Sequence, residues 1–389
     1  MTKFRFLMIA VVLTVSLIIG GCALFGGGQA EREKYIVTFN DSITKVIESL
    51  ATENLDVLER FSIIDGVLLN LTADEAKWIE KNLPVRFIEK DALHSIPGPV
   101  EVEAPVEIEA ETEIGWEIKM INAQAAWGRT KGQGVIVGVI DTGCDPNHPD
   151  IKDAIVGGYN GITNSHTGWE DDNGHGTSVA GAIAGRLNGT GIVGVAPLAS
   201  IYVFKGLNSG GSGTTTHLLR CFQKALDLEV DMVNCSWGSS YESRALGEAM
   251  RNLAAWQGMG VICAAGNTYK TPIIYPARNP VAVCVAAVDI YGVKADFSSY
   301  GDAIKKNGTA APGKWVLAAK MGGGTRRVNG TSIATPYVTG LLALTKAMGW
   351  PARKWVFMSG DKYVNPDIYL GHGIIDCGKA IDALSNASH

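Results

Sequence analysis

Apolar residues follow two rhythms along this chain. Beyond residue 114, short continuous runs of apolar and β-branched residues alternate with longer segments rich in small and helix-forming residues. The short runs are Val135–Ile140, Ile201–Lys205, Met232–Ser236, Val261–Ala265 and Val281–Ala286. Unbroken apolar runs are what strands buried on both faces of a parallel sheet require. The longer segments, His175–Arg186, Thr215–Leu228, Arg244–Trp256 and Thr335–Met348, read as helices. Such alternation predicts an α/β fold, a parallel sheet flanked by helices. Asp141 then ends the first run, on the carboxyl edge where open α/β sheets bind ligands.

A different order precedes it, over residues 34–96. Tyr35–Phe39 reads as a strand and Ser42–Leu50 as a helix. Phe61–Ile64 and Val67–Leu71 read as a strand pair around Asp65-Gly66, a hairpin signal. Thr72-Ala73-Asp74-Glu75 has the form of a capping box, opening a helix through Asn82, and Val85–Glu89 closes the unit as a strand. The order βαββαβ is that of a small ferredoxin-like α+β domain. Residues 97–113 hold Pro97, Pro99, Pro105 and six glutamates alternating with apolar residues. This composition predicts an acidic, extended linker, and the prolines disfavour the edge strand that the alternation would otherwise suggest.

The amino terminus has its own pattern. Lys3 and Arg5 precede an apolar stretch, Phe6–Ile19, too short for a comfortable membrane span. It ends in Ile19-Gly20-Gly21-Cys22, which resembles a bacterial lipobox, although Gly20 stands where that pattern usually has Ala, Ser, Thr or a small aliphatic residue. The resemblance implies a signal peptide over 1–21, cleavage before Cys22 and lipidation of its sulfur, with 22–33 as a tether. It implies an exported lipoprotein of the cell envelope, its membrane partner engaged through Cys22. An ordinary signal peptide that contains a cysteine is the alternative.

Composition narrows the rest. The chain has 389 residues, 46% hydrophobic and 19% charged, so it is globular and long enough for more than one domain. The net charge is −5 and no basic cluster appears, which excludes nucleic acid as an expected partner. No P-loop, dinucleotide fingerprint or His-Glu-x-x-His motif is present. Cys235, Cys263 and Cys284 fall in strand-like runs and are expected to be buried small hydrophobes, whereas Cys144 is expected to be more exposed. Export would permit disulfides, but the spacing of these with Cys221 and Cys377 assigns no pairing.

Three distant motifs carry the chemistry. They are Val139-Ile140-Asp141-Thr142-Gly143, Asn173-Gly174-His175-Gly176-Thr177, and Asn329-Gly330-Thr331-Ser332-Ile333-Ala334-Thr335-Pro336. A serine hydroxyl becomes a strong nucleophile when a histidine takes its proton, and that histidine needs a carboxylate to fix its tautomer. Ser332 opens a helix, near the positive end of its dipole. Val261–Ala265 is followed by Gly266-Asn267, whose amide can donate to an oxyanion.

With these motifs, and with Gly194-Val195-Ala196-Pro197, Asn234-Cys235-Ser236-Trp237-Gly238, Phe297-Ser298-Ser299-Tyr300-Gly301 and Ala311-Pro312-Gly313, residues 114–389 resemble the subtilisin-like serine proteases. The resemblance implies a serine endopeptidase in which Asp141 orients, His175 is the general base, Ser332 the nucleophile, and Asn267 with the Ser332 N–H the oxyanion donors. It implies a cleft for protein or peptide substrates lined by Gly211, Ser236, Trp237, Gly238, Ala264, Gly266 and Ile274, with Ile274 filling the floor of the primary pocket. Residues 34–96 resemble the family's propeptide, an intramolecular chaperone and inhibitor, so the chain is expected to be a zymogen that cuts itself in cis within about residues 96–113, a cut that Ser332→Ala abolishes. The loop 186–192 resembles the family's calcium loop, which would make Asp150, Asn188, Thr190 and Ile192 ligands of a structural Ca2+. The family's further ligand, a glutamine near the start of the domain, has no counterpart in Glu111-Thr112-Glu113. A dedicated processing protease and a non-catalytic binding lipoprotein on the same fold are the alternatives.

Overall fold

The structure, a computed structural model, describes residues 31–40, 46, 47, 50, 51, 53, 55–98, 100, 114–349 and 353–387. The expected signal segment, Cys22, the tether before residue 31 and most of the acidic linker lie outside the described residues.

The amino-terminal unit forms a four-stranded antiparallel sheet. Its strands are β1 (Glu33–Phe39), β2 (Val57–Phe61), β3 (Gly66–Leu71) and β4 (Val85–Lys90), in the order β2-β3-β1-β4. Val46, Ile47, Leu50 and Ala51 are helical, and a second helix runs Ala73–Asn82. The expected capping box is formed: Glu75 N–H donates to Thr72 Oγ1 at 3.2 Å, and Thr72 N–H to Glu75 Oε2 at 2.8 Å. The expected strand over Phe61–Ile64 is corrected. Only Phe61 belongs to a strand, Ser62–Ile64 is a 3-10 turn, and Asp65 takes a left-handed conformation at φ 46°. Ile63 and Ile64 leave the ladder because they are fully buried in a core shared with the larger unit.

Both faces of this sheet are apolar for that reason. Tyr35, Val37 and Phe39 face the unit's own helices with Ala76 and Ile79. Ile36, Leu68 and Phe87 join a cluster with Leu218, Phe222, Leu246 and Met250 of the larger unit. A strand alternating between two such surfaces is buried on both, and β1 is so from Tyr35 to Phe39, with Thr38 the one polar residue of that run.

A short strand, β5 (Leu93–Ser95), leads into the larger unit. There, β6 (Ile136–Asp141), β7 (Ile155–Asn160), β8 (Ser200–Lys205), β10 (Met232–Cys235), β11 (Gly260–Ala264), β12 (Ala282–Val288) and β13 (Gly308–Pro312) form a parallel seven-stranded sheet, with β9 (Ser212–Thr214) apart from it. The order β13-β12-β11-β10-β6-β8-β7 puts β6 between strands reached by opposite directions of winding. The carboxyl end of such a strand is where α/β sheets open a crevice. The helices His175–Ala184 and Thr331–Ala347 pack together in one core; Thr215–Asp227 and Arg244–Gln257 belong to the other. An antiparallel pair, β14 (Val316–Ala319) and β15 (Thr325–Val328), precedes Ser332.

The described cysteines are all free and buried. That overturns the expectation for Cys144. It bridges to Glu170, lies fully inside the core, and burial pushes its thiol well above the usual range.

Candidate active site

Asp141, at the end of β6, is wholly buried. Its Oδ1 accepts from Thr142 N–H at 2.8 Å and lies 2.8 Å from His175 Nδ1. With Nδ1–H donating, the imidazole Nε2 is the basic nitrogen. That Nε2 is buried and makes no hydrogen bond among the described residues.

Asp171, which the sequence motifs do not single out, fixes this pair. Its Oδ1 accepts from Thr142 Oγ1 at 2.8 Å, Asn173 N–H at 3.0 Å and Gly174 N–H at 2.9 Å. Its Oδ2 accepts from the N–H and hydroxyl of Thr177 at 2.9 and 2.6 Å. One carboxylate thereby ties the Asp141 loop to the His175 turn. Burial opposes its charge, but the bonds from Thr177, Gly174 and Thr142 win and hold the carboxyl below the usual range.

Ser332 is the second residue of the helix Thr331–Ala347 and is 3% exposed. A polar chain supports it: Thr339 Oγ1 donates to Asn234 Oδ1 at 2.8 Å, Asn234 Nδ2 to Ser236 Oγ at 2.9 Å, and Ser236 Oγ to the Ser332 carbonyl at 2.7 Å. The N–H and hydroxyl of Thr331 both donate to Asn267 Oδ1 at 2.9 Å. The Asn267 carbonyl is thus pinned, leaving its NH2 to serve the cleft. Gly330 adopts φ +149°, and a Cβ there would stand 2.9 Å from Ser332 Oγ and 3.3 Å from Asn267 Nδ2. Absence of a side chain at 330 keeps open the cradle bounded by the hydroxyl and the amide.

The cleft is filled by the chain itself. β5 pairs antiparallel with β9 in the register Leu93↔Thr214, His94↔Gly213, Ser95↔Ser212. On its other side Ser95 exchanges both backbone bonds with Gly238, at 3.0 and 2.8 Å. Ile96 N–H donates to the Gly211 carbonyl at 2.9 Å, Asn267 Nδ2 to the Gly98 carbonyl at 3.3 Å, and Asn329 Nδ2 to the Val100 carbonyl at 3.1 Å. This is strand addition, with backbone bonds holding an extended peptide.

Of the expected cleft residues, Gly211 and Gly238 pair with this segment directly. Trp237 is buried, its Nε1 donating to the Ile140 carbonyl at 2.9 Å and its ring meeting His94 edge-on at 5.9 Å. The Ser236 side chain supports Ser332 from within, and Ala264 is buried at the end of β11. Ile274 lies between two glycines: a Cβ on Gly238 would stand 2.6 Å from its Cδ1, and one on Gly266 2.8 Å from its Cγ2.

The expected calcium ligands are also neighbours. Asn188 Nδ2 donates to Asp150 Oδ1 at 3.2 Å, Ile192 N–H to Asp150 Oδ2 at 3.0 Å, and Thr190 N–H to Asn188 Oδ1 at 3.1 Å. Asp150, 2% exposed, thus accepts from the N–H groups of this loop, and no cluster of three His, Cys, Asp or Glu side chains occurs among the described residues. The Asp150 carboxylate and the Asn188 amide oxygen are of the type that a hard, oxygen-seeking cation such as Ca2+ would take.

The smaller unit grips the larger one by two helix starts. Asp91 Oδ1 accepts from Thr216 N–H at 2.8 Å in the first turn of Thr215–Asp227. Glu89 accepts from Ser243 Oγ at 2.6 Å and Arg244 N–H at 2.8 Å at the start of Arg244–Gln257. Burial raises the Glu89 carboxyl above its ordinary value, against the pull of these donors. Arg220 forks onto Glu59 through Nε, at 2.8 Å to Oε1 and 2.9 Å to Oε2.

A parallel sheet with aspartate and histidine bonded at its carboxyl edge, and serine at a helix start beside an amide, defines a hydrolase of the serine-protease class. Residues 132–359 match the subtilase family. The chain is 33% identical over 381 residues to the thermostable alkaline protease of Halalkalibacterium halodurans, covering 96% of this chain and 98% of that protein. It is 35% identical over 265 residues to thermitase of Thermoactinomyces vulgaris, covering 67% of this chain and 93% of that one. Among solved structures it is similar to fervidolysin from Fervidobacterium pennivorans, described as a keratinolytic enzyme related to subtilisin. That similarity has a TM-score of 0.77 at 25% identity, over 92% of this chain and 62% of that one. The chain spans less than two thirds of fervidolysin's length. The chain belongs to the subtilase family and is a subtilisin-like serine endopeptidase.

Proposed function

We propose that this chain is the zymogen of an exported endopeptidase in which Asp141, His175 and Ser332 form the catalytic triad. The observation that carries this reading is the Asn267 amide bonded to a peptide carbonyl, that of Gly98, with Ser332 Oγ on the same cradle. Ser332 Oγ attacks the substrate carbonyl carbon while His175 Nε2 takes its proton. Asp141 holds the imidazole and stabilises the imidazolium. The oxyanion is met by Asn267 Nδ2 and the Ser332 N–H, and His175 then passes the proton to the leaving nitrogen as the acyl-enzyme forms. Water then attacks the acyl carbon as His175 Nε2 takes its proton, and the ester bond breaks with that proton passed to Ser332 Oγ, releasing the acid.

Residues 34–96 act as the inhibitory propeptide; their support is the strand in the cleft and the two helix starts held by Glu89 and Asp91. Asp150 and Asn188 side chains with Thr190 and Ile192 carbonyls hold a structural Ca2+. Residues 1–21 direct export and Cys22 carries a lipid, so the anchor lies on the propeptide side and maturation frees the catalytic unit from the membrane. Peptide hydrolysis by wild type and none by Ser332→Ala tests the catalytic assignment. Hydrolysis by both would refute it.

A further inference from the structure

One side chain fastens the turn that carries His175 to the strand that leads to Ser332. Arg326 lies in β15, from which the chain runs through Asn329 and Gly330 to Ser332. Its Nη2 donates to the Gly174 carbonyl at 2.8 Å and to Ser178 Oγ at 3.1 Å, and its Nε to the same hydroxyl at 3.3 Å. Gly174 caps the helix His175–Ala184 and Ser178 lies in its first turn, so these bonds fall on both sides of His175. A guanidinium stays charged in proteins. Its bond to the Gly174 carbonyl is therefore charge-assisted, about twice as strong as a neutral one.

The Gly174 carbonyl belongs to the peptide plane that precedes His175. The other end of that plane, His175 N–H, donates to Asn173 Oδ1 at 3.2 Å. With both ends bonded, the direction in which His175 leaves the backbone is set, and Asp141 Oδ1 then sets the ring. Nothing bonded to the ring sets its distance from Ser332, because Nε2 has no hydrogen-bond partner among the described residues. That distance rests on the two backbones. The hairpin of β14 and β15 has other ties to the same wall: Ser178 Oγ donates to the Ala319 carbonyl at 2.8 Å, Gly322 N–H to Asp145 Oδ2 at 2.9 Å, and His148 Nε2 lies 2.9 Å from the Gly324 carbonyl. Those ties hold β14 and the hairpin tip. Of these bonds, the one from Arg326 reaches the peptide plane of His175 itself.

Resting on the protease reading above, we infer that Arg326 is a positioning residue for acyl transfer, clasping the β14–β15 hairpin to the peptide plane of His175 and so keeping the imidazole in register with Ser332. It acts through the backbone of His175 and not on the substrate. A misplacement of about 1 Å between reacting groups costs on the order of 10²-fold in rate, which is the scale on which such a clasp matters.

The test compares wild type with Arg326→Met, which keeps the aliphatic stem without donors, and Arg326→Lys, which restores a charged donor without the planar fork. Each full chain is opened by the same immobilised unrelated protease and checked by circular dichroism. Peptide hydrolysis is then expressed per Ser332 titrated to completion by a fluorophosphonate. Arg326→Met is expected to lose about 10–100-fold in kcat with KM within about twofold of wild type. Arg326→Lys is expected to recover part of that loss. Wild-type kcat per titrated serine in Arg326→Met, even with a lowered denaturation midpoint, would overturn the inference by making the residue structural only. A raised KM at unchanged kcat would overturn it by making Arg326 a substrate contact, and so would a loss that Arg326→Lys does not relieve. If Arg326→Met does not fold, Arg326→Lys decides alone: a severalfold loss in kcat at unchanged KM upholds the inference and a wild-type kcat overturns it. Absence of peptide hydrolysis by opened wild type would instead defeat the protease reading on which the inference rests.

Discussion

Glu89 reaches across 154 residues of sequence to accept the Ser243 hydroxyl at 2.6 Å. The same carboxylate takes the Arg244 N–H, so a residue of the smaller unit caps a fourteen-residue helix of the larger one. Loss of a helix cap costs about 0.5–2 kcal/mol, and unpaired buried donors add to that. Glu89→Ala, made in a Ser332→Ala background, is expected to lower the free energy of unfolding by about 0.5–2 kcal/mol or more, and the denaturation midpoint with it. It is also expected to shorten the latency of the otherwise wild-type enzyme. An unchanged midpoint would remove Glu89 from the docking contact.

His94 makes docking of the strand Leu93–Ser95 sensitive to acid. Its Nε2 lies 3.0 Å from Thr215 Oγ1, its Nδ1 has no partner among the described residues, and burial alone pushes its pKa from 6.5 down to about 4. The depressed value means the docked state holds His94 neutral while the undocked state protonates first. Its contribution is therefore complete above pH 6.5 and lost as pH falls toward about 4, in total roughly 3 kcal/mol. The difference in melting temperature between Ser332→Ala and Ser332→Ala/His94→Gln measures this free of Glu89 and Asp171, whose titrations the two proteins share. The difference should change across that window, and a constant difference would contradict it.

Ile274 occupies the space between Gly238 and Gly266, so the primary pocket should admit only small side chains. Wild type should prefer small residues before the cut, each misplaced methylene being worth about 1–3 kcal/mol. Ile274→Gly should shift kcat/KM toward Phe and Tyr substrates. A wild-type preference for Phe or Tyr would show that Ile274 does not close the pocket.

Asn267 is held from behind by Thr331, so its amide is already directed when substrate arrives. Removing one such donor lowers kcat about 10²–10³-fold. Asn267→Ala should do so with little change in KM. A loss confined to KM would make Asn267 a binding residue only.

What the sequence revealed followed from how local each signal was. The Asp141, His175 and Ser332 motifs each sit at a strand end or a helix start that their own neighbours define. The capping box of Thr72 and Glu75 is likewise a four-residue event. β7 escaped notice because Gly157 and Gly158 interrupt its apolar run, and β13 because Gly308–Pro312 offers little beyond glycine and alanine. β5 has no apolar run at all and exists through partners more than a hundred residues away. Asp171 stood in plain view within Glu170-Asp171-Asp172, but an acidic run usually marks a solvated loop, and only the fold turns it toward Thr142 and Thr177. Cys144 was misjudged because its distance from Asp141 in sequence says nothing of the chain that covers it.

The central claim is that Ser332 is the nucleophile activated by His175. After residues 34–96 have been removed from the cleft, the enzyme is treated with a fluorophosphonate and mapped by peptide mass analysis. The account predicts one adduct, on Ser332, formed in step with loss of peptidase activity and absent in His175→Ala. Full activity without modification of Ser332, or an inactivating adduct at another residue, would contradict it.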